Sequence, residues 1–168
     1  ESDKAHLEAK INEIVAGYGY EKLIYPSNLG LDLSKINASE KICFDKEVES
    51  LRKEVFHSEF SIINASCGIS SHGVVCVISS KEQPRMLSLA PTLCIILLKK
   101  EQIVRSMSEA FALVKKEAQT AKSSNALNSN KTLPNNILFI AGPSRTADIE
   151  LITVFGVHGS QKVHLILY

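Results

Sequence analysis

The sequence predicts a three-layer α/β domain, with a mostly parallel sheet flanked by helices, on three observations. Short runs rich in Val, Ile and Leu at 61–64, 74–78, 93–98, 137–141 and 163–168 are near-continuously apolar and bounded by Gly, Ser and Pro. Such runs mark strands buried on both faces, as in a sheet between helices. Segments of helical period alternate with them, which points to parallel pairing through crossovers. At 168 residues and 18.4 kDa, with 45% hydrophobic and 22% charged residues, the chain suits one domain spanning 1–168 with a sizeable core.

In chain order, 2–18 is predicted to be an amphipathic helix, the core of an N-terminal helical segment at 1–20. Leu7, Ile11, Ile14, Val15 and Tyr18 fall on one stripe, and Gly17 and Gly19 supply the stop. A short strand at 22–25 ends at Pro26, Ser27 and Asn28. The stretch 30–39 carries no clear pattern. A strand at 41–44 precedes Asp45, a suitable cap for a charged helix to about Val55, with Val48, Leu51, Val55 and Phe56 facing inward. The apolar runs at 61–64, 74–78 and 93–98 follow, and the connection 83–91 carries Arg85 and two prolines. The clearest helical stripe is Ile103, Val104, Met107, Ala110, Phe111 and Val114, predicting a helix over about 101–118. Residues 121–136, rich in Ser, Asn and Lys, predict a flexible surface loop. A strand–helix–strand unit then closes the sheet.

Composition excludes several function classes. Nineteen basic against eighteen acidic residues give a formal charge of +1, far from the basic excess of a nucleic-acid binder. Trp is absent and aromatics are 6%, which disfavours a base-stacking platform. Cys43, Cys67, Cys76 and Cys94 are widely spaced without a C-x-x-C pair, so neither zinc nor an iron–sulfur cluster is supported in this chain. Buried reduced cysteine is the simpler reading, and it fits a cytoplasmic location. The longest apolar run, 93–98, is far below the ~18 residues of a membrane span, and no leader is visible. No dinucleotide glycine fingerprint occurs, so redox chemistry by the isolated chain is not expected.

Residues 142–159, GPSRTADIELITVFGVHG, hold the densest polar chemistry of the C-terminal core. A strand ending in a glycine turn that opens a helix presents free N–H groups to an anion. Arg145 can hold a carboxylate or phosphate with its planar fork, or pair internally with Asp148 or Glu150. Those carboxylates can in turn orient Arg145 or face solvent in a first helical turn. Ser144 suits a helix cap, and Gly142, Gly156 and Gly159 suit positive φ or close approach of the backbone. His158 can move a proton near neutral pH or serve as a structural hydrogen-bonding group. His164, in mid-strand, suits packing, and Arg85 can add a second positive charge to the cleft or remain solvated.

The run G-P-S-R-T-A-D-I-E at 142–150, with G-V-H-G at 156–159 and V-H-L-I-L at 163–167, resembles the C-terminal signature of the LUD-domain family. Similarity extends upstream through I-S-S-H-G-V-V-C-V-I-S at 69–79, P-R-M-L-S-L-A-P at 84–91 and the strand–helix at 92–114, covering about residues 60–168. The resemblance implies a fold like that of the ribose-5-phosphate isomerase and CoA-transferase (NagB/RpiA) group. It also implies an accessory, cluster-free subunit that acts with two iron–sulfur-containing partner proteins in oxidising L-lactate to pyruvate. The clusters would reside in those partners. One departure stands out: where the family commonly carries an acidic residue in an E-T-G element, this chain has Ser71-His72-Gly73. A carboxylate there can act as base or nucleophile, whereas Ser71 alone cannot, and only His72 remains as a base. Independent catalysis is therefore not expected, and no catalytic residue is assigned. A stand-alone binder or transferase of a CoA-like or phosphorylated small molecule is the alternative. A scaffold that docks a partner through the motif is the third.

Overall fold

A computed structural model describes residues 6–47, 49–124, 134, 136–147 and 153–168. Its centre is a five-stranded, wholly parallel sheet ordered β11-β6-β3-β1-β2. The strands are β1 (Lys22–Pro26), β2 (Glu40–Phe44), β3 (Phe60–Asn64), β6 (Leu93–Leu98) and β11 (Lys162–Leu167). The all-apolar β6 is the clearest case of burial on both faces. Leu93, Ile95 and Leu97 enter one core, while Cys94, Ile96 and Leu98 enter the other, the period-two alternation of a strand between two layers.

The first core is covered by α1 (Leu7–Tyr18), whose Leu7, Ile11 and Val15 recur every four residues and are buried. Gly19, at φ 68, ends the helix in the left-handed conformation, as its position in the sequence predicts. On the other face lie α2 (Arg52–His57), α3 (Met86–Leu89) and part of a second sheet. That sheet is ordered β7-β4-β5-β8, from β4 (Cys67–Ile69), β5 (Val74–Ser79), β7 (Ile103–Val104) and β8 (Asn136–Ile140). Val75, Val77, Leu138 and Ile140 pack toward the parallel sheet, and Cys67, Ile69 and Cys76 pack toward α4 (Met107–Ser124). A Cβ on Gly68 would meet Leu98 Cδ2 at 2.6 Å, so a larger residue there would have to displace the buried Leu98 side chain.

Several expectations need correction. The strands at 74–79 and 136–140 belong to the second, mixed sheet rather than to the parallel one. Asp45 caps no helix: α2 begins only at Arg52, and its Phe56 is exposed rather than inward-facing. The predicted inward Val48 lies outside the described residues. The helix expected from about 101 starts at Met107, because Ile103 and Val104 pair with Gly68 and Ile69 as β7. In the predicted loop 121–136, residues 121–124 complete α4 and Asn136 opens β8, while 125–133 and 135 lie outside the described residues. No helix among the described residues is long and apolar enough to cross a membrane.

Candidate functional site

Where a helix was expected after the Gly-Pro turn, the described residues Arg145–Ala147 form a strand. After β8 the chain turns at Gly142 and Pro143 and enters β9 (Arg145–Ala147), which pairs antiparallel with β10 (Thr153–Phe155). The helix-terminus anion site expected from the sequence is therefore absent at Arg145. Pairing of Arg145 with Phe155 and of Thr146 with Val154 takes up this backbone instead.

Ser144 holds the segment together, though not as a helix cap. Its N–H donates to Ser160 O at 2.9 Å, its carbonyl accepts from Gly156 N at 3.0 Å, and its Oγ accepts from His158 N at 3.3 Å. Gly156 lies at φ 79, where a Cβ would also meet the Gln161 side chain. Gly159 serves a different end: a Cβ there would stand 3.4 Å from Ser144 Cβ. The buried Ser160 anchors the whole turn, its Oγ lying 2.7 Å from Pro91 O and 3.2 Å from Ser88 O. Sequence reasoning missed Ser160 and Ser88. Ser160 follows the Gly-Val-His-Gly turn directly, and that adjacency was the available signal.

These turns enclose a cleft of about 390 Å³ at the amino-terminal ends of β6 and β11, lined by Cys94 and Val163. Gly142, Ser144, Arg145 and His158 line it, with Ser88, Ser160 and an apolar wall that includes Leu89, Leu138 and Ile140. Arg145 and His158 are both exposed to solvent. Among the described residues no carboxylate lines the cleft or stands within ion-pair distance of Arg145. Asp148 and Glu150 lie outside the described residues. Burial pushes the Cys94 thiol up to about 12, so it is protonated near neutral pH and is no nucleophile. Cys67 and Cys76, opposite each other across β4 and β5, are buried, free and likewise raised by burial. Cys43 is only half-buried.

The remaining candidates lie elsewhere. His72 and Gly73 form the turn between β4 and β5, where His72 Nδ1 meets Ser71 Oγ at 2.7 Å, and neither residue lines the cleft. Arg85 Nη1 donates to Asn136 Oδ1 at 3.3 Å, at the start of β8, and also stays off the cleft. His164 Nε2 is 2.8 Å from the Tyr18 hydroxyl, in keeping with a structural role. The described cleft thus offers one guanidinium, one imidazole and hydroxyls largely spent on backbone, against an apolar wall. That chemistry suits holding a small organic anion. Among the described residues, no group of three or more His, Cys, Asp or Glu is placed to hold a metal.

Comparison with known proteins places these features in context. Residues 2–168 match the family described as LUD domain. The chain is 30% identical over 129 residues to an uncharacterized protein of Neisseria meningitidis, covering 74% of this chain and 48% of that one. It is 32% identical over 123 residues to lactate utilization protein C of Bacillus subtilis, covering 73% and 47%. Lactate utilization protein C of Shouchella clausii is 27% identical over 167 residues, covering 95% and 68%. A crystal structure of a DUF162 family protein from Deinococcus radiodurans superposes with a TM-score of 0.64 at 17% identity, over 98% of this chain and 84% of that one. That likeness bears on fold alone. The chain spans about half the length of several curated relatives it matches.

Proposed function

The chain belongs to the LUD-domain family, and from that premise we propose that it is a lactate-utilization protein whose motif cleft holds a small carboxylate, lactate or pyruvate. The observation that carries this reading is Arg145, a cation on the wall of a cleft with no described carboxylate and an apolar side fit for a methyl group. Relatives named lactate utilization protein C support the biological setting. His158, across the turn from Arg145, can hydrogen-bond the hydroxyl or keto oxygen of such an acid.

In this reading the chain is a cluster-free, cytoplasmic component that works with two iron–sulfur proteins, which carry the electrons. It binds the acid and presents it, without completing the oxidation. Support comes from the Ser71-His72-Gly73 element, which carries no carboxylate where the family commonly has one. Val154 and Phe155 of β10 and Val157 of the turn after it are exposed near the cleft, an apolar rim suited to a partner. Affinity purification of the tagged protein from lactate-grown cells should recover two iron–sulfur proteins, and a deletion strain should fail to grow on L-lactate. Normal growth of that strain would sink the proposal. The second reading, a free-standing binder of CoA-like or phosphorylated ligands, predicts instead a thermal shift with those compounds and none with lactate.

A further inference from the structure

The parallel sheet contains a second place for a ligand, which the C-terminal motif does not touch. Its strand order, β2-β1-β3-β6-β11, means that the chain leaves β1 toward one edge and leaves β3 toward the other. In open parallel sheets, ligands bind beyond the carboxyl ends of the two strands where that reversal occurs. Here those strands are β1 and β3. They pair only at Leu23–Phe60 and Ile24–Ser61, whereas β3 and β6 pair at five positions. Beyond Ile24 they part.

Side chains tie the two strand ends to the segments around them. The buried Gln83 clips the backbone of Asn64, its Oε1 accepting from Asn64 N and its Nε2 donating to Asn64 O, both at 2.8 Å. Asn64 Nδ2 in turn reaches Asn28 O at 3.3 Å and Leu29 O at 3.4 Å, tying the loop after β1. The result is a crevice of about 390 Å³, floored by Leu29, Ala65 and Leu97. Its polar rim is Glu8, Asn28, Asn64, Lys99, Gln102 and Tyr168. Lys99 makes no ion pair with a described residue. Glu8 lies in the first turn of α1, whose N-terminal end points a positive dipole at the same space.

We propose that this crevice is a second binding site, for a small polyhydroxylated anion. Lys99 and the start of α1 receive its charged group. The Asn28 amide, Gln102 Nε2, Asn64 Oδ1 and the Glu8 carboxylate bond its hydroxyls, while Asn64 Nδ2 and Gln102 Oε1 stay with Asn28 O, Leu29 O and Lys99 N. The site is separate from the motif cleft. Val163 of β11 lines the cleft and Tyr168 the crevice, about 17 Å apart at strand rise.

The anion can be carboxylate or phosphate, and two probes distinguish them: D-gluconate and glycerol 3-phosphate, with glycerol as the neutral control. Thermal-shift and amide NMR titrations of the whole chain should show one of the two anions raising the melting midpoint at millimolar concentration and shifting Asn28, Asn64 and Lys99 amides. Lys99→Gln should weaken that binding tenfold or more, and Arg145→Ala should leave it unchanged. Binding lost in Arg145→Ala but kept in Lys99→Gln overturns the proposal, because the ligand then occupies the motif cleft. So does a flat response to both anions from the folded protein. Neither result bears on lactate binding at Arg145, which is scored with its own titrant.

Discussion

The two cavities lie at opposite ends of the same strands and are built on opposite principles. The motif cleft, at the amino ends of β6 and β11, is lined mostly by residues of 138–146 and 158–163, whose turns are tied through Ser144 and Ser160 to one another and to the segment 88–94. The crevice, at the carboxyl ends, is made by five segments far apart in sequence, brought together by strand order and by the Gln83 clip. A local motif announces the first. Only topology produces the second. The difference teaches that the most recognisable stretch of a chain need not line its only cavity.

The strongest disturbance should come from the strand the two cavities share. Ile96 is fully buried in mid-β6, between Cys94 of the cleft and Leu97 of the crevice. Ile96→Ala should cost about 2–5 kcal/mol in urea unfolding, from lost transfer energy and the cavity left behind. If instead stability is unchanged, the shared strand is not the common foundation described here. Next come two changes that should separate the ends. Ser160→Ala leaves the carbonyls of Pro91 and Ser88 without that donor, for a loss of about 1–3 kcal/mol, and should weaken ligands of the cleft alone. Gln83→Ala unclips Asn64, with a similar loss of about 1–3 kcal/mol, and should weaken ligands of the crevice alone. Equal effects of either variant on both ligands would collapse the distinction.

The smallest effect should be on pH dependence. Burial, then the nearby Lys10 charge, lower the pKa of His164 below its ordinary 6.5. A His that is harder to protonate folded than unfolded lends stability above the unfolded pKa, and that stability is lost as pH falls below it. Stability should therefore decline below about pH 6.5, and His164→Gln should flatten that part of the profile. An unaltered profile would assign the decline to other groups. His164 lies outside both cavities, so neither ligand's affinity should follow it.

Much of the frame is legible in the sequence because periodicity is local. The buried Leu7, Ile11 and Val15 of α1, its stop at Gly19 and the all-apolar β6 are readable directly, though Tyr18 of the expected stripe is exposed. Where local and tertiary signals conflict, local reading fails. Ile103 and Val104 fit a helical stripe, yet β4 captures them as a strand. The true start was written nearby. Glu109 N donates to Ser106 Oγ and the Glu109 carboxylate accepts from Arg105 N, the work of an S-x-x-E helix start. The residue type of Arg145 suggests an anion ligand, but its seat on a strand was not legible, because pairing with 153–155 is not encoded in the Gly-Pro turn alone. The crevice was not legible at all. No spacing in the sequence says that β1 lies beside β3 or that Gln83 reaches Asn64.

The central claim is that Arg145 holds a small carboxylate, and calorimetric titration of L-lactate and pyruvate into the wild type and Arg145→Ala tests it most directly. Arg145 is exposed, so the variant should fold with stability within about 0.5 kcal/mol of the wild type. The account predicts saturable binding of at least one acid by the wild type and a loss of tenfold or more in the variant, about 1.4 kcal/mol. Equal affinity in the two proteins, or no binding of either acid by the wild type, would contradict it.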